Sequence, residues 1–232
     1  MLPKAIYKHI RLSSNQDPVS ASPSKAIQWS KQTKDYLLCS DCEGRFSKNG
    51  EDWVLKNYVK TSGNFPILQN LSQASPVKQH GNDSYYKCDS ISGVDVDKIS
   101  YFATSVFWRA AAHSWKTPLG QTLKLDFGSY EEELRLYLLG QTTFPRNAIL
   151  SVLVAPNTTP PMATLFPATL PRKPAPYYRH GFYMPGLLFT LCLGQQITPD
   201  MIDECSVHSR ILRVSDLAIK LANSAWSKVK AA

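Results

Sequence analysis

No stretch of this chain approaches the roughly 18–20 uninterrupted apolar residues that a bilayer-spanning helix needs, although 43% of its 232 residues are hydrophobic. A membrane partner is therefore not expected. Nor does the start read as a signal peptide, because Lys4, Lys8, His9 and Arg11 fall within Met1–Leu12 with no apolar run behind them. This points to a cytoplasmic setting. Five cysteines are too few and too scattered for a disulfide scaffold. With only 11 glycines, the chain has no Gly-rich phosphate loop, and it also lacks a nucleophile elbow, a kinase signature and a His-Glu-x-x-His motif. Those absences exclude several large enzyme classes.

What is present begins with charge. Lys plus Arg number 26 against 18 for Asp plus Glu, giving a net charge of +8 and a pI near 9.2, a balance that favours a polyanionic partner. The surplus sits at the ends: residues 1–60 carry ten basic and six acidic side chains, 141–232 carry nine and four, and 61–140 carry seven and eight. No basic run marks a tail, so a solvated surface explains the excess as well as a phosphate-tracking patch does.

Periodicity gives an α+β fold with two units, residues 1–62 and 63–232. Pro3–Arg11 reads as a short helix with Ile6 and Ile10 one turn apart. The Ser- and Pro-rich segment 13–24 is expected to be a mobile loop. Glu51–Tyr58 reads as helix and the stretch between Asn64 and Asp95 as irregular. Asp97–Trp115 is the clearest helix, apolar nearly all round and so central, within a helical region 95–140. Ser129 and Glu132 form a capping-box pattern for a second helix that stops at Gly140.

The region 148–194 reads as β-rich. Ala148–Val154 is a strand, and Phe182–Leu193, broken by Pro185 and Gly186, is an edge strand, a bulge or two short strands. Thr198-Pro199-Asp200 starts a short helix. Ser215 caps a C-terminal helix over 215–230. The picture is a small Cys-containing module, a central buried helix, and antiparallel strands closed by a terminal helix.

The chemistry concentrates at Cys39-Ser40-Asp41-Cys42. Two thiolates at this spacing can occupy adjacent corners of a zinc tetrahedron at about 2.3 Å from the metal. Two further ligands are needed. Cys88, Cys192, Cys205 and the five histidines are the candidates, and none forms a second ligand pair. A dithiol redox pair and two buried or idle thiols are the other readings of Cys39 and Cys42. Arg45, Lys48, Lys56 and Lys60 follow as candidate phosphate contacts, with an ordinary solvated helix face as the alternative. Arg109, the only formal charge between Lys98 and Lys116, needs a partner to offset its desolvation. Asp126 or one of Glu131, Glu132 and Glu133 is expected to pair with it, either as a structural ion pair or as part of an anion clamp. His113 reads as a satisfied core histidine.

The segment Leu37-Leu38-Cys39-Ser40-Asp41-Cys42-Glu43-Gly44-Arg45-Phe46-Ser47-Lys48, with Glu51 and Trp53, resembles a largely uncharacterised bacterial family related to HNH endonucleases. In that family a Cys-x-x-Cys pair and a Ser-His-Ile-Ile-Pro-Lys type motif precede a Cys-x-x-Cys-Glu-x-Arg-Phe-Ser segment. Leu2–Tyr7 resembles the end of the Pro-Lys motif. Ser105–Ala110 and Gly128–Glu132 extend the resemblance over roughly the first 140 residues. It implies a zinc module, phosphodiester chemistry with magnesium or manganese, and a nucleic-acid partner.

The family's histidine and first cysteine pair would lie before Met1, which implies either an incomplete nuclease site or a start assigned too late. His9 reads as a surface histidine, a poor substitute for the missing base. Glu43 stands where such a nuclease presents an Asn or a metal-binding side chain, and a structural role is expected of it. Three functions follow: a nucleic-acid-associated protein with an incomplete site, an active metal-dependent endonuclease, and an interaction or scaffold protein of phage defence or mobile elements that binds a protein partner or itself.

Overall fold

The computed structural model describes residues 2–14, 19–21, 26–28, 35, 37–60, 63–116, 120, 122–162, 164–170 and 177–230, with the backbone alone at 12–14, 19–21, 26–28 and 225–230. The fold is α+β, with a mostly antiparallel sheet and a terminal helix. Helix α1 (Lys4–Ser14) follows Pro3 and buries Ile6, Tyr7 and Ile10, while Lys4, Lys8 and Arg11 stay exposed. Strands β1 (Val19–Ala21) and β2 (Ala26–Gln28) form a small antiparallel pair. Of the segment expected to be mobile, 15–18 and 22–24 lie outside the described residues, whereas 13–14 finish α1 and Val19–Ala21 is strand.

A helical path runs from 40 to 57: α2 (Ser40–Phe46), a π-turn over Ser47–Glu51, and α3 (Asp52–Asn57). The π-turn has a visible reason. It lays Gly50 on the next long helix so tightly that a Cβ there would stand 2.7 Å from the Phe102 backbone nitrogen, so only glycine fits.

That long helix is α5 (Val96–Ala112), reached after α4 (Pro66–Ser72), β3 (Lys78–His80) and β4 (Asp83–Lys87). The stretch 65–94 is thus not irregular. It escaped the sequence pattern because β3 is exposed throughout and β4 buries only Tyr85, so neither strand shows a hydrophobic alternation.

Asp95 caps α5 by accepting from the Lys98 N–H at 3.0 Å. The helix stops before Trp115, three residues short of the expected end at its C-terminus. His113 is extended (φ −138°, ψ 145°), and Trp115 joins β5 (Trp115–Lys116), which pairs with β6 (Thr122–Leu123). Two carbonyls freed by the helix end are taken up by the returning chain: the Trp115 indole N–H donates to Arg109 O at 2.7 Å and Leu125 N–H to Ala110 O at 2.9 Å. Helix α6 (Tyr130–Leu138) ends at Gly140 (φ 73°) as expected. Its capping box does not form. Ser129 has helical dihedrals and makes no capping bond, and Glu132 instead grips Arg135 through two 2.7 Å bonds.

The remaining elements are β7 (Ala148–Val154), β8 (Leu165–Thr169), β9 (Tyr178–Met184), β10 (Leu187–Leu193), α7 (Pro199–Asp203), β11 (Ile211–Val214) and α8 (Leu217–Lys230). Seven strands form one sheet in the order β3-β4-β11-β7-β10-β9-β8, antiparallel except for β11 beside β7. Pro185 and Gly186 (φ 80°) make the two-residue turn between β9 and β10. Of the three readings of 182–193, two strands is correct. β10 is central rather than an edge, lying between β7 and β9.

Phe102 and Phe107 of α5 pack on Phe182, and Phe102 also meets Phe189, with ring centroids 4.9–6.3 Å apart. Helix α5 is therefore covered by the sheet on one side and by the 40–57 path on another. Residues from both sides of position 62, among them Ile6, Val54, Phe102 and Phe189, belong to one hydrophobic cluster. Among the described residues, no helix is long and apolar enough to cross a membrane.

Candidate functional site

Cys39 occupies the N-cap of α2 in an extended conformation (φ −74°, ψ 164°), and its carbonyl accepts the first helical bond from Glu43 N–H at 3.0 Å. Three residues on, Cys42 returns to the same edge of the turn. Cys39 is exposed and Cys42 half-buried. The backbone N–H and the thiol of Cys42 both face the Cys39 sulfur and lower its pKa, although no full capping bond closes. Donating to that sulfur, and then burial, raise the pKa of Cys42. The two sulfurs are thus neighbours at the surface.

Two thiolates supply half of a zinc tetrahedron. Among the described residues, no three His, Cys, Asp or Glu side chains converge on a common point. Cys88 is buried in the main core, and Cys192 and Cys205 share a separate apolar cluster with Ile149. Burial pushes the Cys88 and Cys192 thiols up to about 11. The residues described here therefore do not complete a zinc ligand set around Cys39 and Cys42.

The basic residues after the thiols have different surroundings. Lys48 and Lys56 are exposed on the helical path. The Arg45 guanidinium donates to Leu139 O at 2.8 Å, closing the end of α6. Lys60 is half-buried, with its ammonium 2.9 Å from Leu55 O and 5.7 Å from the Tyr58 ring centre, and burial lowers its pKa. Glu43 is exposed.

Arg109 pairs with Glu51 at 2.6 Å, not with Asp126 or Glu131–Glu133. It also donates to Ser105 O at 3.1 Å and Ser105 Oγ at 3.2 Å, and its guanidinium lies 5.6 Å from the Phe46 ring centre. The correction has a geometric cause: the π-turn delivers Glu51 to α5 from 58 positions away. Phe46 also meets Trp108 and Tyr101 edge-on, both at 6.0 Å. The segment from Phe46 to Glu51 and the part of α5 from Tyr101 to Arg109 consequently form one packed unit.

The histidines need correction as well. His9 is buried (9% exposed), not a surface residue, and its Nδ1 lies 2.5 Å from the Tyr58 hydroxyl. Burial and the Lys60 charge lower its pKa. His113 is half-buried at the end of α5, not a core residue, with Nε2 2.9 Å from Asp35 Oδ2 and its ring 4.9 Å from that of Trp115.

Sequence reasoning missed a cleft of about 390 Å³ beside β4 and the start of α8, lined by His80, Asp83, Arg213, Ser215, Asp216 and Lys220. Asp83 pairs with Arg213. Burial raises the Asp83 pKa, but bonds from Ser215 and Arg213 and the Arg213 charge outweigh it and leave the pKa lowered. Arg213 and Lys78 flank the Tyr85 ring at 5.3 and 5.0 Å, and Glu204 joins both cations at 3.8 and 3.5 Å. Asp83 and Arg213 are 130 residues apart, so no local pattern announced the group. Its principal charges neutralise one another, which suits a structural network better than catalysis. No family model, curated protein or solved structure matches this chain.

Proposed function

We propose that this chain is a nucleic-acid-associated protein of the HNH-like zinc-module type, in which Cys39 and Cys42 provide two metal corners and Lys48 and Lys56 provide phosphate contacts. The observation that carries the reading is the surface pairing of the two thiols at the head of the helical path 40–57, whose exposed side bears both lysines. The packing of Phe46 and Glu51 on Trp108 and Arg109 supports it further, because two of the segments behind the resemblance pack against each other. No hydrolytic step is assigned, since His9 is buried against Tyr58 and does not face solvent as an attacking base must.

Fluorescence anisotropy with labelled single- and double-stranded oligonucleotides tests the reading. Affinity should fall steeply between roughly 50 and 200 mM salt, and the Lys48→Gln/Lys56→Gln pair should reduce the log–log salt slope by about 2. Zinc uptake, followed by competition with a chromophoric chelator, should be lost in Cys39→Ser. Absence of binding, or binding indifferent to salt, refutes the proposal. A stable oligomer that ignores nucleic acid would favour the scaffold role.

A further inference from the structure

Cys39 and Cys42 are set apart from the other three cysteines by more than their spacing. Cys88, Cys192 and Cys205 are 3%, 8% and 0% exposed, beyond the reach of a dissolved oxidant in the folded chain. Cys39 is open to solvent at the N-cap of α2, and Cys42 is half-covered one turn further along the same helix. Residues three apart on a helical turn have Cα atoms roughly 5 Å apart, inside the window of about 4.4–6.8 Å that a disulfide requires. The Cα spacing therefore admits an intramolecular bridge, and the turn between the two cysteines contains neither proline nor a β-branched residue.

From this geometry we propose that Cys39 and Cys42 form a dithiol exchange site, oxidised to an intramolecular disulfide by low-molecular-weight disulfides. Cys39 is the attacking sulfur because it is the exposed one. Its thiolate attacks one sulfur of the small disulfide, forming a mixed disulfide and expelling the other half as a thiolate. Cys42 then loses its proton and attacks the Cys39 sulfur; the Cys39–Cys42 bond forms, and the second small thiolate leaves and is protonated. The protein gives up two electrons and the small disulfide gains them. The inference concerns the metal-free dithiol and does not depend on the nucleic-acid reading, because zinc on the same two sulfurs would block the exchange rather than enable it.

The test equilibrates the reduced, chelator-treated full chain with glutathione disulfide, blocks free thiols with iodoacetamide under native conditions, and maps the peptides by mass spectrometry. The expected result is the loss of two hydrogen atoms across 39–42, with both thiols protected from alkylation and with the protection reversed by dithiothreitol. Cys42→Ser should stop at a glutathione adduct on Cys39, and Cys39→Ser should leave Cys42 without an adduct over the same interval. The proposal is overturned if Cys39 and Cys42 remain alkylated as in the untreated chain, if the wild type accumulates a lasting glutathione adduct, or if the oxidised sulfur links two chains. Circular dichroism of both variants separates loss of exchange from loss of fold.

Discussion

The Arg109–Glu51 pair offers the sharpest test of how this fold is held. The two side chains are 11% and 17% exposed, far from the surface regime in which ion pairs contribute little. Breaking a fully buried pair by removing one partner costs about 3–5 kcal/mol, because a desolvated charge is stranded. The residual exposure and the two Ser105 contacts that Arg109 retains reduce this to roughly 2–3 kcal/mol for Glu51→Leu. Arg109→Met leaves the Glu51 carboxylate stranded and should cost a similar amount, with Met keeping part of the packing over Phe46. For a domain of this size each kcal/mol lowers Tm by roughly 2–4 °C, so each single variant should melt roughly 4–12 °C below wild type. The double variant strands no charge and should fall short of the summed losses by about 2 kcal/mol. The assay is a double-mutant cycle by urea unfolding, checked by thermal melts. Coupling below about 0.5 kcal/mol would refute the structural assignment and return Arg109 to the role of a clamp for an external anion.

Other outcomes follow from single positions. Gly50→Ala should destabilise by roughly 1–3 kcal/mol, since its Cβ meets the Phe102 backbone, whereas Gly44→Ala meets nothing within 4 Å and should gain up to about 1 kcal/mol from helix propensity; urea midpoints decide both. Asp95→Ala should cost about 1 kcal/mol as a lost N-cap, while Ser129→Ala should be nearly neutral because its hydroxyl caps nothing. Burial lowers the His180 pKa from 6.5 to about 4 despite the opposing Asp126 charge, so between those values the unfolded chain binds a proton that the folded chain refuses. Stability from this site is intact above pH 6.5 and falls as pH drops toward 4, by about 3 kcal/mol in total. The gap in Tm between wild type and His180→Leu, followed across that range, should shift in favour of the variant; a constant gap would contradict the assignment.

The readable parts of the sequence were those whose physics is local. Ala148–Val154 is buried on both faces at every position but Ser151, so its largely apolar run survived intact as β7. Thr198 and Ser215 lie at helix starts and accept backbone N–H bonds there. Ser129 shows the limit of that logic: the motif is present, but helical dihedrals turn the hydroxyl away from the cap position. At the candidate site, spacing placed Cys39 and Cys42 on one turn but could not tell exposed thiols from buried ones.

Local propensity and periodicity, which depend on neighbours a few positions away, determined the α+β class, the central helix, strand β7 and the spacing of the two cysteines on one turn. Tertiary structure alone decided the partner of Arg109, the burial of His9, the commitment of Arg45 and Lys60 to backbone carbonyls, and the assembly of β4 and β11 into the sheet. Each of those contacts joins residues whose approach depends on how the helices and the sheet dock, and docking is governed by surface shape and desolvation summed over the whole chain.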